Sequence, residues 1–158
     1  MTTEWMTLAS QQLFLAQTLL QLQSRTGDRL QNEATRQGAT ELALRARRNV
    51  LKQIARFYQH DAQPVDSLAT LAQVVGNEAP ELAQLEALAR ESGSWWGHLD
   101  QLEHDQANPP KRKKTVTDDN IIAVAVDTGP DRSAETLSTS LNALKQFMTT
   151  LTERHDEW

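Results

Sequence analysis

Residues 28–60 read DRLQNEATRQGATELALRARRNVLKQIARFYQH, the longest run in the chain with the pattern of a helix. In its second half Leu42, Ala46, Val50 and Ile54 recur at every fourth position, and Phe57 continues their face. Leu44, Leu51, Ala55 and Tyr58 lie beside them. At about 100° per residue the apolar arc therefore covers a little over half of the circumference. An arc that wide needs neighbours on more than one side, which puts this helix at the centre of a bundle. Gly38, near its middle, weakens the helix by about 1 kcal/mol relative to alanine and marks where a kink is easiest.

Two cationic features stand out on the same helix. Arg45, Arg48, Lys52 and Arg56 follow one another at i, i+3, i+7 and i+11 and so form a narrow basic stripe on the polar side. Arg47 falls between Ile54 and Tyr58 on the wheel, inside the apolar arc. Two readings are open for it. The guanidinium either pairs with a carboxylate, because an unpaired buried charge is too costly to keep, or snorkels along its own stem to solvent.

Working outward, residues 3–23 read as a first helix with Trp5, Leu8, Ala9, Leu13, Ala16, Leu19 and Leu20 on its inner face, capped by Thr2 or Thr3. Phe14 sits on the glutamine-rich outer face, where a single exposed aromatic is ordinary, or where the C-terminal segment or a partner covers it. After Pro64, Asp66 or Ser67 starts a short helix through Val75. Pro80 suits the first turn of another, which Gly93 ends. Ser94 caps a fifth, in which Trp95 is assigned to the inner face. Trp96, about 100° away on the wheel, is taken as an interaction residue.

Asn108-Pro109-Pro110 and Lys111-Arg112-Lys113-Lys114 then interrupt the helical pattern, and residues 107–120 are expected to be a flexible basic linker. The run Ile121 to Val126 is the chain's single β-like stretch, expected to lie in a groove on its own bundle. Leu137, Leu141, Leu144, Met148 and Leu151, spaced 4, 3, 4 and 3, make the seam of a last helix that Asp131 or Ser133 starts.

The 158 residues suffice for one core, and leucine and alanine dominate the apolar residues. The expected fold is all-α: a single domain over 1–158, a bundle of five or six helices with one short extended segment. No cysteine is present, which excludes disulfides and thiolate chemistry. No secretory leader or apolar membrane span is evident, so a cytoplasmic protein with no membrane partner is expected. The net charge of −5 is unevenly laid out. Residues 1–60 carry eight Lys/Arg against four Asp/Glu, whereas residues 61–107 carry one against nine. Pairing of the acidic middle helices with the basic stripe is preferred over a basic face for an anionic partner.

Chemistry-bearing motifs are sparse. Asp100 and His104 share a helix face, but no metal-ligand set accompanies them. Ile121 to Asp127 resembles the acidic strand end of a nucleotide hydrolase, yet no Gly-rich phosphate loop is present. Helical nucleases carry an Arg-polar-x-x-x-His motif, and here Arg48-Asn49 is followed by Gln53 where the histidine would stand. Glutamine is no acid or base near neutral pH. No catalytic residue, metal ligand or cofactor is assigned.

Several stretches together resemble a family of short, uncharacterised bacterial helical proteins, a domain of unknown function. They are Leu13-Phe14-Leu15-Ala16, Ile54-Ala55-Arg56-Phe57-Tyr58, Glu81-Leu82 through Trp95, Ile122-Ala123-Val124-Ala125 after the basic stretch, and Leu144 to Phe147. The chain differs from the usual pattern in its glutamines around Phe14 and in Arg47 and Arg48, where members are more apolar. The resemblance implies a cytoplasmic helical protein with no assigned activity or catalytic residues.

The expectation is a non-enzymatic protein that docks on another macromolecule, with a protein partner. A nucleic-acid role using Arg45, Arg48, Lys52, Arg56 and Lys111 to Lys114 comes second, and an enzyme with an unrecognised helical site third. A monomer is favoured over a homodimer.

Overall fold

Asp28 accepts a hydrogen bond from the Leu30 amide at 2.9 Å and so starts helix α2, Arg29–Phe57. In this computed structural model α2 runs unbroken through Gly38, where a Cβ would stand 3.1 Å from Leu19 Cδ1. The glycine is thus a point of close approach to α1, Glu4–Gln23, which packs along α2. Described are residues 4–23, 25, 27–61, 63–109, 112–117, 120–125 and 129–157. Of Glu78 and of residues 112–117 and 120–125 the backbone alone is described. The expected caps Thr2 and Thr3, together with Lys111 and Val126, lie outside these residues.

The remaining helices start where short polar side chains satisfy free amides. Ser67 and Thr70 form a reciprocal capping box at α3, Leu68–Val75. A 3-10 turn, Gly76–Glu78, leads to α4, Pro80–Arg90, with proline in its first turn. Ser94 caps α5, Trp95–Ala107, and its hydroxyl also donates back to the Leu88 carbonyl at the end of α4. Ser133 caps α6, Ala134–Asp156.

The molecule is an all-α bundle with one hydrophobic core. α2 is its centre and touches α1, α3, α5 and α6. Val50, Ile54, Ala46, Leu44, Leu51 and Ala55 are all buried, as the wide apolar arc requires. The α6 seam is buried over its whole length, from Leu137 through Leu141, Leu144 and Met148 to Leu151. On α1 the inward face is turned slightly from the expected one, since Met6 is buried and Leu8 is at the surface.

The stretch between α5 and α6 differs from expectation. In place of a linker across 107–120, α5 continues to Ala107 and Arg112–Thr117 form strand β1. β1 pairs antiparallel with β2, Asn120–Ala125, in the register Arg112↔Ala125, Lys114↔Ala123 and Val116↔Ile121. The apolar run is therefore paired in a two-stranded sheet rather than lying as a lone strand. Two physical reasons favour the pairing. Thr115, Val116 and Thr117 are β-branched and suit a strand. The three cations of β1 face a strand with no charge from Asn120 to Ala125, so pairing brings no like charges together.

Candidate interaction surface

α1 and α6 pack side by side, but the seam between them does not close. On α1 the inward residues Met6 and Leu13 are followed by Ser10 and Gln17; on α6 Met148 is followed by Thr149 and Thr152. These small and polar positions leave a groove of about 450 Å³ with an apolar floor of Met6, Leu13 and Met148. Gln17 donates to Asn142 across the two helices at 3.0 Å. Phe14 stands at the rim and is 67% exposed, so α6 does not cover it. Lys145 and Glu153, both on α6, also border the groove. Among the described residues neither has an ion-pair partner.

The four stripe residues of α2 lie elsewhere, and none lines this groove. Lys52 places its ammonium 4.7 Å from the centre of the Trp5 ring, a cation–π contact that ties α2 to α1. Arg56 pairs with Asp61 at 3.6 Å. Arg45 is exposed and Arg48 half-buried, with no ion-pair partner among the described residues. The acidic middle helices do meet a cation of α2, but it is Arg47. Its side chain is 6% exposed, and its two terminal nitrogens donate to Asp100 at 2.6 Å and Glu103 at 2.8 Å on α5. The guanidinium also lies 4.9 Å from the Trp96 ring centre.

That contact corrects the assignment of the tryptophans. Trp96 is 2% exposed and belongs to the core, whereas Trp95 is half-buried and touches Trp96 and Phe147. Trp96 is not a surface residue for a partner. The wheel separates two adjacent side chains without saying which of them turns inward; here it is Trp96, under the Arg47 guanidinium.

Of the basic run, Arg112, Lys113 and Lys114 belong to β1, and Lys111 lies outside the described residues. The nuclease-like positions do not form an open site. Asn49 donates to Gln12 at 2.8 Å, and Gln53 is fully buried.

Two polar clusters have no counterpart in the sequence reading. Glu81, in the first turn of α4, is 1% exposed. It accepts hydrogen bonds from the Tyr58 hydroxyl at 2.6 Å and from Arg154 at 3.4 Å, and contacts His155 Nε2 at 2.9 Å. The His155 ring stacks on Phe57 with centroids 3.8 Å apart. Burial acts to raise the Glu81 carboxyl, but the Tyr58 hydroxyl, a backbone amide and His155 outweigh it and hold the group below the usual carboxylate range. Tyr58 is pushed up to about 12, first by burial and then by the Glu81 carboxylate.

In the second cluster His98 Nε2 sits 2.7 Å from the Asp131 carbonyl, which only accepts, so Nε2 carries the proton. Nδ1 and the Ser140 hydroxyl lie 2.6 Å apart, within hydrogen-bond reach. A serine bonded to a histidine ring is the beginning of a nucleophile pair. Here Ser140 is buried in mid-helix, and the cavity beside it holds about 10 Å³, too little for a substrate. Both clusters bind helices together: Glu81 joins α2, α4 and α6, and His98 joins α5 to α6.

Among the described residues no group of three or more His, Cys, Asp or Glu side chains is placed to hold a metal, and no helix is long and apolar enough to cross a membrane. A family model described as "Family of unknown function (DUF6586)" matches residues 1–158. No curated protein matches the chain, and no solved structure does.

Proposed function

The chain belongs to the DUF6586 family, whose function is unknown, and we propose that it is a cytoplasmic, non-enzymatic protein that docks on a protein partner through the α1–α6 face. The observation that carries this reading is Phe14, two-thirds exposed beside an open apolar groove. Aromatic anchors beside pockets are the usual centres of protein interfaces. Charge depletion supports it, because α1 carries one charged residue, Glu4, in its 20 residues. A second reading, association with nucleic acid, draws on Arg45 and Arg48 and on the cations of β1. It is weaker, since Lys52 and Arg56 are already engaged within the chain.

A pull-down with tagged wild type and Phe14→Ser, with and without nuclease, tests both. A protein recovered by wild type, lost with Phe14→Ser and indifferent to nuclease is the expected result. Recovery that ignores Phe14 and disappears with nuclease overturns the first reading in favour of the second.

A further inference from the structure

We propose that the partner of the α1–α6 face is a second copy of this chain, packed about a two-fold axis. The inference rests on the docking role proposed for that face and names its occupant. Three observations carry it.

The first is that the face holds both a projection and a recess. Phe14 stands out from the rim, while the groove beside it is floored by Met6, Leu13 and Met148. In an isologous interface the same patch meets itself, so each Phe14 must enter the other copy's groove. The helices α1 and α6 border the groove in opposite directions, Met6 lying towards Thr152 and Gln17 towards Asn142. A two-fold axis near the middle of the groove carries Phe14 of each copy towards the Met6 end of the other. Methionine is well suited to receive an aromatic ring, being flexible and polarisable.

The second is the charge pattern. Lys145 and Glu153 are eight residues apart on α6, and Thr149, also at the groove, lies midway. At 1.5 Å per residue the two charges are about 12 Å apart along the axis, too far to pair with each other. The same two-fold axis, passing by Thr149, sets Lys145 of one copy against Glu153 of the other, twice over. α1 adds nothing that opposes this, since no charge follows Glu4 along the helix. The face is thus electrostatically complementary to itself and to no strongly charged partner.

The third is size. Two helices each about 30 Å long, 8–10 Å apart, present a face on the order of 600 Å². That approaches the ~800 Å² per partner of a standard interface and suits a reversible dimer.

Sedimentation velocity on the purified full chain across the micromolar range is the test. Wild type is expected to shift from monomer to dimer with concentration. Phe14→Ser, with an unchanged circular dichroism spectrum, should weaken self-association at least about tenfold. Lys145→Glu and Glu153→Lys should each weaken it, and the double variant carrying both should recover it, which no effect on folding alone would produce. A wild type that stays monomeric overturns the second-copy inference. So does a dimer indifferent to Phe14→Ser, or charge variants with no recovery in combination. Purified protein contains no foreign partner, so a monomeric result overturns the dimer alone, and the pull-down with Phe14→Ser decides independently whether the face docks on a different protein.

Discussion

The α2–α5 seam is closed and the α1–α6 seam is open, although both are contacts between long amphipathic helices. At the first, Arg47 crosses from α2 to Asp100 and Glu103 with the buried Trp96 ring beneath its guanidinium, and the cavity left beside them holds only about 10 Å³. At the second, Ser10, Thr149 and Thr152 stand where large side chains would close the gap, and Phe14 turns outward. The bundle therefore places its bulky and charged residues on one side and leaves a recess on the other. A buried ion pair seldom adds net stability over an apolar replacement, but breaking one is costly. A recess lined by small residues imposes little penalty on the monomer and leaves apolar area for a partner to cover.

Substitutions on the two sides should separate them clearly. Arg47→Ala removes the cation that Asp100 and Glu103 share and strips a contact from Trp96. Both carboxylates are about half exposed, at 50% and 47%, and can be rehydrated. The expected loss is therefore about 3 kcal/mol, at the lower end for a broken buried pair, or a melting temperature lower by roughly 6–12 °C. A melt superimposable on wild type would show the seam does not depend on this residue.

Glu81→Gln probes the closed interior at a second place and should cost about 1–2 kcal/mol at neutral pH, since the amide keeps a bond from Tyr58 but loses its charge. The pH dependence is the sharper measurement. The folded carboxyl is held below its ordinary range, so the unfolded chain binds more protons in acid. The stability due to Glu81 is fully present above the ordinary carboxylate range and is lost as pH falls through the lowered folded value. Urea midpoints followed into acid should fall less steeply for Glu81→Gln than for wild type. Equal slopes would mean that Glu81 does not contribute to acid unfolding.

Phe14→Ser should have the smallest effect on the fold. The ring is 67% exposed, so the stability of the monomer should change by no more than about 0.5 kcal/mol. A larger loss, measured at a concentration where the chain is monomeric, would assign Phe14 to the core and erase the contrast between the two seams.

The central helix, the α6 seam, the cap at Ser94 and the anomalous position of Arg47 all follow from the sequence, which also narrows the starts of α3 and α6 to Asp66 or Ser67 and Asp131 or Ser133. Each depends on spacing or on contacts within a few residues, and helical periodicity makes those local. The sequence also shows that the run Ile121 to Val126 favours an extended backbone. Membership of an uncharacterised helical family was likewise legible from the stretches around Phe14, Phe57 and Leu144.

Other matters depended on pairs of residues far apart in the chain. Whether Arg47 snorkels or pairs was decided by Asp100 and Glu103, more than 50 positions away, once α5 lay against α2. Which tryptophan turns inward depends likewise on how α5 sits in the bundle. The burial of Glu81 among Tyr58, Arg154 and His155 depends on three helices meeting at one point, and no local pattern marks such a point. The partner of β2 is a stretch whose charge suggested a linker, because its strand character emerges only opposite an uncharged neighbour. The groove is likewise a property of two helices together: Ser10 on α1 and Thr149 on α6 are ordinary surface positions until packing sets them face to face and leaves the space between them unfilled.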